Sequence, residues 1–162
     1  MRYLYEEITF SEVPDETTLC VAISGCQIHC KGCHSRGLWE DKGTLLTLEE
    51  LQRLLDKHRG ITCLCLMGGE HDIDSLTELF QYAYKKVRTA WYCGLDMIPK
   101  DKIGILQYLD FCKLGHYDQE LGGLASPVTN QRFYRIEHEG NGDYYEHDLS
   151  FKFNNKENTN EN

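Results

Sequence analysis

Leu19-Cys20-Val21-Ala22-Ile23-Ser24-Gly25-Cys26-Gln27-Ile28-His29-Cys30-Lys31-Gly32-Cys33 is the stretch from which the rest of the chain is read. Its first six residues form a continuous apolar run, the pattern of a strand buried on both faces, and Gly25 turns the chain out of it. Three thiols follow at the mouth of that strand, Cys26, Cys30 and Cys33, in the spacing C-x3-C-x2-C. Thiolates are soft ligands that select zinc, copper(I) or iron–sulfur clusters, so the spacing points to a metal centre folded around one loop. The ligand count is informative: a cubic four-iron cluster usually takes four cysteines and a structural zinc takes four ligands. Three thiols therefore leave one metal position free for a substrate or cofactor. The alternative is a Cys3His zinc site completed by His29 or His34, against which stands a solvent-facing or cofactor-adjacent role for both. Cys20, inside the apolar run, reads as a small buried hydrophobe.

Outward from this stretch the chain alternates strands and helices. Upstream, Met1 to Phe10 mixes aromatic and acidic residues, and Leu4, Ile8 and Phe10 fit an edge strand or lead-in arm. Downstream, Thr47-Leu48-Glu49-Glu50 matches a capping box, and Leu48, Leu51, Leu54 and Leu55 recur at helical spacing up to about His58, before Gly60. This helix is scaffold. Ile61 to Met67 is a second buried strand, on which Cys63, Cys65 and Met67 share one face in the core. A second amphipathic helix carries Ile73, Leu76, Phe80, Ala83 and Val87, and Thr89 to Cys93 forms a third strand closed by Gly94. A short helix over Asp101 to Gln107 leads to a fourth strand, Tyr108 to Lys113. Alternation of this kind implies an α/β fold with a mostly parallel sheet and function at the carboxyl ends of its strands. Arg132 to Ile136 and Tyr144 to Phe153 read as a C-terminal β-ribbon turned by Glu139-Gly140-Asn141-Gly142. The expected organisation is one domain over residues 1–153 and a disordered polar tail over 154–162.

The second strand runs into Gly68-Gly69-Glu70. Two glycines at a strand end let a ligand approach the backbone with no Cβ in the way and expose N–H donors, while Glu70 offers a carboxylate to an ammonium group. Lys113, at the end of the fourth strand, either neutralises a cofactor carboxylate or ends the strand in solvent. Composition sets the remaining bounds. Cysteine is abundant but below the density of a disulfide scaffold, and neither a secretory-type leader nor a run of about 20 apolar residues is present, which places the chain in the cytoplasm with reduced thiols and away from membranes. A formal charge of -9 argues against wrapping a nucleic-acid backbone.

The cysteine spacing resembles the signature of the radical S-adenosylmethionine enzymes, and Gly68-Gly69-Glu70 falls where that fold carries its Gly-Gly-acid motif. The resemblance implies a small partial (β/α) barrel of the radical SAM type. It implies a [4Fe-4S] cluster on Cys26, Cys30 and Cys33 whose fourth iron is chelated by S-adenosyl-L-methionine. Gly32, Cys33 and His34 would lie beside the adenosyl moiety, Gly68, Gly69 and Glu70 would hold the methionine amino group, and Lys113 is grouped with these cofactor-binding positions. Within the superfamily, Lys113-Leu114-Gly115-His116-Tyr117, Ser126 and Asn130-Gln131-Arg132, with the Trp91-Tyr92-Cys93-Gly94 strand end, are similar to the activating component of anaerobic, class III ribonucleotide reductase over roughly Thr18 to Arg135. That resemblance implies one-electron cleavage of S-adenosylmethionine to methionine and a 5'-deoxyadenosyl radical, which takes a hydrogen atom from a glycine Cα of the partner. The partners it implies are the large catalytic subunit of anaerobic ribonucleoside-triphosphate reductase and a reduced flavodoxin-type or other low-potential electron donor. No acid–base pair beyond cluster and cofactor is needed.

The chain departs from the family pattern at His71, where Pro often follows the Gly-Gly-acid motif, at Ser35, where Asn is common, and at Glu12-Val13-Pro14-Asp15-Glu16, which replaces a Gly-rich stretch. Asn130, Gln131 and Arg132 either meet the partner or cap the sheet. A glycine loop entering from another protein requires an open sheet end, so a partial barrel is expected, with Gly115 to Asn130 as the mobile edge and partner surface. Alternatives in other classes are an activase of another glycyl-radical enzyme of the pyruvate formate-lyase type, a Cys3His zinc-binding interaction module, and a simple iron–sulfur electron carrier.

Overall fold

A computed structural model describes residues 1–140 and 142–154. The described residues form a mixed α/β fold on one eight-stranded sheet, with β1 (Arg2–Thr9), β2 (Thr18–Ile23), β3 (Thr44–Leu45), β4 (Cys63–Met67), β5 (Arg88–Tyr92), β6 (Phe111–Leu114), β7 (Arg132–His138) and β8 (Tyr144–Asp148) in the order β3-β1-β2-β4-β5-β6-β7-β8. The apolar run around Val21 is its spine: all six positions of β2 are buried. Only the central strands β2, β4, β5 and β6 run parallel. The other four of the seven pairings are antiparallel, which corrects the expectation of a mostly parallel sheet. The reason is in the connections. The links joining β1 to β2 and β7 to β8 are too short for the crossover of a dozen or more residues that parallel neighbours require, so they fold back as hairpins. The sheet is open, ending in β3 and β8.

β1 is a further correction, because it lies between β3 and β2. The alternation of Tyr3, buried, with exposed neighbours hid an interior strand behind acidic residues. The predicted helices are α1 (Leu48–Lys57) and α2 (Ile73–Ala83). The Thr47 hydroxyl accepts the Glu50 N–H at 3.1 Å, a cap that contributes about 1 kcal/mol. Glu50 does not complete the reciprocal half of the box; its carboxylate accepts from the Tyr3 hydroxyl at 2.6 Å and from Arg53, fastening α1 to β1. In α2, Asp72 caps the Ser75 N–H, and the chain leaves the helix at Tyr84, short of the predicted Val87, with Lys85 at φ +65°.

The helices cover one face of the sheet, where Leu51, Leu54, Leu76 and Phe80 pack on Leu19, Val21, Leu64, Leu66 and Trp91. The opposite face gathers Val13, Cys20, Cys63, Cys65, Ala90, Phe111, Phe133 and Phe153, with Met67 against them, so Cys63 and Cys65 share a core face as expected. Between β5 and β6 the chain forms a 3-10 turn over Lys100–Tyr108, so β6 starts three residues later than the sequence reading. The ribbon is also shorter: Phe151–Asn154 forms a helical turn, α3, that brings Phe153 onto Phe133 at 5.1 Å between ring centroids. Apart from Asn154, the tail expected to be disordered lies outside the described residues. No helix among the described residues is long and apolar enough to cross a membrane.

Candidate metal centre

The four parallel strands end at Ile23, Met67, Tyr92 and Leu114; the cysteine loop and Gly68-Gly69-Glu70 lie just beyond the first two ends, and Lys113 sits on the last strand one residue before its end. The cysteine loop is closed at its base by backbone bonds, Gly25 N–H to Glu40 O at 3.2 Å and Cys26 N–H to Leu38 O at 2.9 Å. Inside it, His29 takes the left-handed region (φ +52°), and Cys33 N–H bonds Cys30 O at 3.1 Å. Two sulfurs already accept backbone donors: Cys33 Sγ from Ser35 N–H at 3.3 Å, and Cys26 from Ile28 and His29. Burial raises the Cys26 thiol, and those two N–H groups oppose it. Backbone donors aimed at sulfur favour thiolate, the ligating form.

Gly68-Gly69-Glu70 is built by its neighbours. The Trp91 indole N–H donates to Gly68 O at 2.9 Å, and Gly68 N–H donates to Tyr92 O at 2.9 Å. Gly69 sits at φ +85°, and a Cβ there would come within 2.9 Å of Leu76 Cδ1, so both backbone and packing require glycine. Glu70 Oε1 accepts Gly94 N–H at 2.5 Å, whereas Glu70 Oε2 is buried with no partner. An orphaned carboxylate oxygen carries a desolvation penalty of roughly 1–3 kcal/mol, more for a charged group, until a donor reaches it. Gly94 also receives the Ile28 side chain, since a Cβ on Gly94 would lie 2.5 Å from Ile28 Cδ1, which ties the cysteine loop to the end of β5.

Lys113 is buried rather than solvent-facing, and Nζ donates to Gly115 O at 2.5 Å. Burial lowers its ammonium to about 8, although Cys93, Glu70 and Cys30 each pull toward the charged form. Gln131 is buried as well and donates to the same Gly115 carbonyl at 3.4 Å, and both side chains line a cavity of about 400 Å3 with Glu12, Tyr92 and Phe153. Asn130 Nδ2 holds His116 O at 3.0 Å, and Arg132 Nη1 holds the carbonyls of Thr129 and Gln131, both at 2.8 Å. The three residues thus point three ways: Asn130 to the His116 loop, Gln131 into the cavity, Arg132 back along the chain. The segment between β6 and β7 lies over the cysteine loop, with Tyr117 OH 3.2 Å from His34 Nε2 and Gln119 against Gly32.

All eight cysteines are free, and they divide into two groups. Cys26, Cys30 and Cys33 are partly exposed, whereas Cys20, Cys63, Cys65, Cys93 and Cys112 are buried. Burial pushes the Cys93 thiol up to about 12 and raises Cys63, Cys65 and Cys112 as well. Those four hold their protons, whereas a hydrogen bond from Cys65 lowers the buried Cys20 thiol, so exposure rather than protonation sets the loop thiols apart. Among the described residues no three His, Cys, Asp or Glu side chains meet at the spacing of one metal ion's ligands. The donor set suits a cubic cluster, whose thiols each hold a different iron: three accessible thiols on one loop, backbone donors to sulfur, and an unpaired carboxylate oxygen at the same sheet end.

The family model of the 4Fe-4S single cluster domain matches residues 16–136. The chain belongs to that family. No curated protein matches it, and no solved structure does. Every cysteine of this 4Fe-4S single cluster domain falls inside the matched span, and within it Cys26, Cys30 and Cys33 are the ones open to solvent. Sequence reasoning missed three supports of the site. Trp91 read only as a strand residue, yet its indole fixes the Gly68 carbonyl. Gln119 gave no signal and Tyr117 entered only within the Lys113–Tyr117 resemblance, because only the tertiary return of their loop sets them on Gly32 and His34.

Proposed function

We propose that this 4Fe-4S single cluster domain is a cytoplasmic oxidoreductase of the radical SAM type. It would cleave S-adenosyl-L-methionine reductively and thereby place a glycyl radical on the large catalytic subunit of anaerobic ribonucleoside-triphosphate reductase. The observation that carries this reading is the buried, unpartnered Glu70 Oε2 at the same sheet end as three accessible thiols. An electron carrier has no use for such an oxygen, and a ligand ammonium would satisfy it. The open sheet and its four parallel central strands support a partial barrel, and the sequence resemblance across Lys113–Tyr117 and Asn130–Arg132 supports the reductase as partner.

With cluster and cofactor bound, that chemistry is one-electron scission of a sulfonium carbon–sulfur bond. Cys26, Cys30 and Cys33 would hold the cluster and leave one of its irons open to the cofactor. Glu70 Oε2 would take the amino group while Oε1 stays on Gly94, so the carboxylate is oriented before anything binds. Gly68 and Gly69 keep side chains out of that approach, and Lys113 sets a positive charge for the carboxylate in a site whose burial strengthens the attraction. Gly32, Cys33 and His34 line the loop side. The decisive experiment is anaerobic reconstitution with iron and sulfide, followed by assay of 5'-deoxyadenosine with and without the reductase subunit. Product strictly dependent on reductant, with a glycyl radical signal on the reductase, is expected. A brown protein indifferent to S-adenosylmethionine would reduce the assignment to an electron carrier.

A further inference from the structure

The two tryptophans of the chain meet different fates at their indole N–H groups. Trp91 donates to Gly68 O at 2.9 Å, whereas Trp39 Nε1 is buried with no partner. Five buried side-chain atoms among the described residues share that state: Thr18 Oγ1, Trp39 Nε1, His58 Nε2, Glu70 Oε2 and Asn130 Oδ1. Of these only the indole is confined to donating. Carboxylate and amide oxygens accept, and a hydroxyl or a histidine ring nitrogen does either. A buried N–H therefore waits for an acceptor, and the surroundings of Trp39 belong to the cysteine loop. Leu38 O, one residue earlier, accepts Cys26 N–H at 2.9 Å, and Trp39 N–H donates to Arg36 O at 3.1 Å, which fixes the indole at the base of the loop. His29, between Cys26 and Cys30, takes φ +52° and lays its ring on the indole with centroids 4.5 Å apart and planes 26° from parallel. The Arg36 guanidinium lies 5.7 Å from the same ring centroid.

We propose that Trp39 is a positioning residue for the cluster, its indole N–H donating to a cluster sulfur and thereby raising the reduction potential. This rests on the cluster, which the family match carries, and is independent of S-adenosylmethionine. Thiolate and sulfide are negatively charged acceptors without a proton of their own, the partner that a donor-only group requires. Backbone N–H groups already serve the sulfurs of Cys26 and Cys33, and the indole adds a side-chain donor from the base of the same loop. Hydrogen bonds to sulfur are one of the levers that set the potential of an iron–sulfur cluster. The sign follows from charge: the reduced cluster carries one more electron, so a donor to sulfur stabilises it more than the oxidised form.

The test uses the full chain, carrying tryptophan labelled with 15N at the indole nitrogen, reconstituted anaerobically and kept free of S-adenosylmethionine. After reduction with dithionite, pulsed EPR should show a 15N coupling to the cluster, and Trp39→Phe should abolish it. A mediated titration followed by EPR should place the Trp39→Phe cluster lower in potential, with its reduction equilibrium shifted about tenfold toward the oxidised form, about 59 mV for one electron. Should Trp39→Phe fail to take up iron, labelled Trp91→Phe decides, because the coupling has to persist there. Absence of coupling in the unsubstituted protein overturns the proposal, as does its loss in Trp91→Phe. So does a coupling that comes with an unmoved potential, or a lowered potential without coupling, which would assign the shift to packing alone. Coupling and shift together in a protein that forms no 5'-deoxyadenosine would instead sink the proposed activity and leave the role of Trp39 standing.

Discussion

Two sets of cysteines share this chain and meet opposite fates. Cys20, Cys63 and Cys65 are pressed into the face of the sheet, and Cys93 and Cys112 lie buried near the ends of β5 and β6, where desolvation keeps protons on at least four of the five. Cys26, Cys30 and Cys33 stand on a loop that is tied at its base but open above, with backbone N–H groups directed at two of the sulfurs. The residue type is identical; water and backbone geometry decide which thiols stay open to a ligand and which pack as small hydrophobes.

The largest effect that would break this comparison comes from single alanine substitutions. Cys30→Ala should abolish the visible chromophore and the bound iron after anaerobic reconstitution, while Cys63→Ala should keep both and lose about 1 kcal/mol of stability in denaturant unfolding. Equal iron loss in the two variants would erase the distinction. Next in size is Glu70→Gln, which keeps the acceptor for Gly94 N–H but removes the charge. Iron content should stay intact while S-adenosylmethionine affinity, measured by calorimetry, falls about 10-fold or more, the worth of a charged hydrogen bond. Retained affinity would mean that Glu70 Oε2 has no ligand role.

The smallest effect concerns protons. Cys93, which ordinarily ionises near 9, is pushed up to about 12 by burial. A folded pKa raised in this way contributes stability that is complete below pH 9 and is lost as pH rises toward 12. The stability gap between unsubstituted protein and Cys93→Ala should therefore shrink by about 1.4 kcal/mol per pH unit above pH 9, read from urea unfolding. A gap constant with pH would show that this thiol ionises equally well in the folded chain.

How much of this was legible beforehand follows from the range of each signal. The β2 run, the α1 helix and the Gly68-Gly69-Glu70 turn are local patterns, and each appears in the fold close to its expected place, although of the Leu48–Leu55 stripe only Leu51 and Leu54 are buried and Leu48 is exposed. The interior place of β1 was not legible, because a strand with Glu6 and Glu7 on its face looks like an edge until β3 pairs with it at Arg2 and Tyr3. Strand direction at the flanks depends on connection length and return path, which periodicity does not encode. At the site, the cysteine loop and Glu70 were readable from type and spacing. The burial of Lys113 and Gln131 over a shared carbonyl was not, since two residues 18 apart meet there only after β6 and β7 pair.

The most direct test of the central claim is Mössbauer spectroscopy of protein reconstituted anaerobically with 57Fe, before and after addition of S-adenosylmethionine. Expected is a four-iron cluster with one distinguishable site whose parameters shift when the cofactor is added, with the other three unmoved. Four equivalent, cysteine-saturated sites that ignore the cofactor, or a protein that takes up one zinc in place of iron, would contradict it.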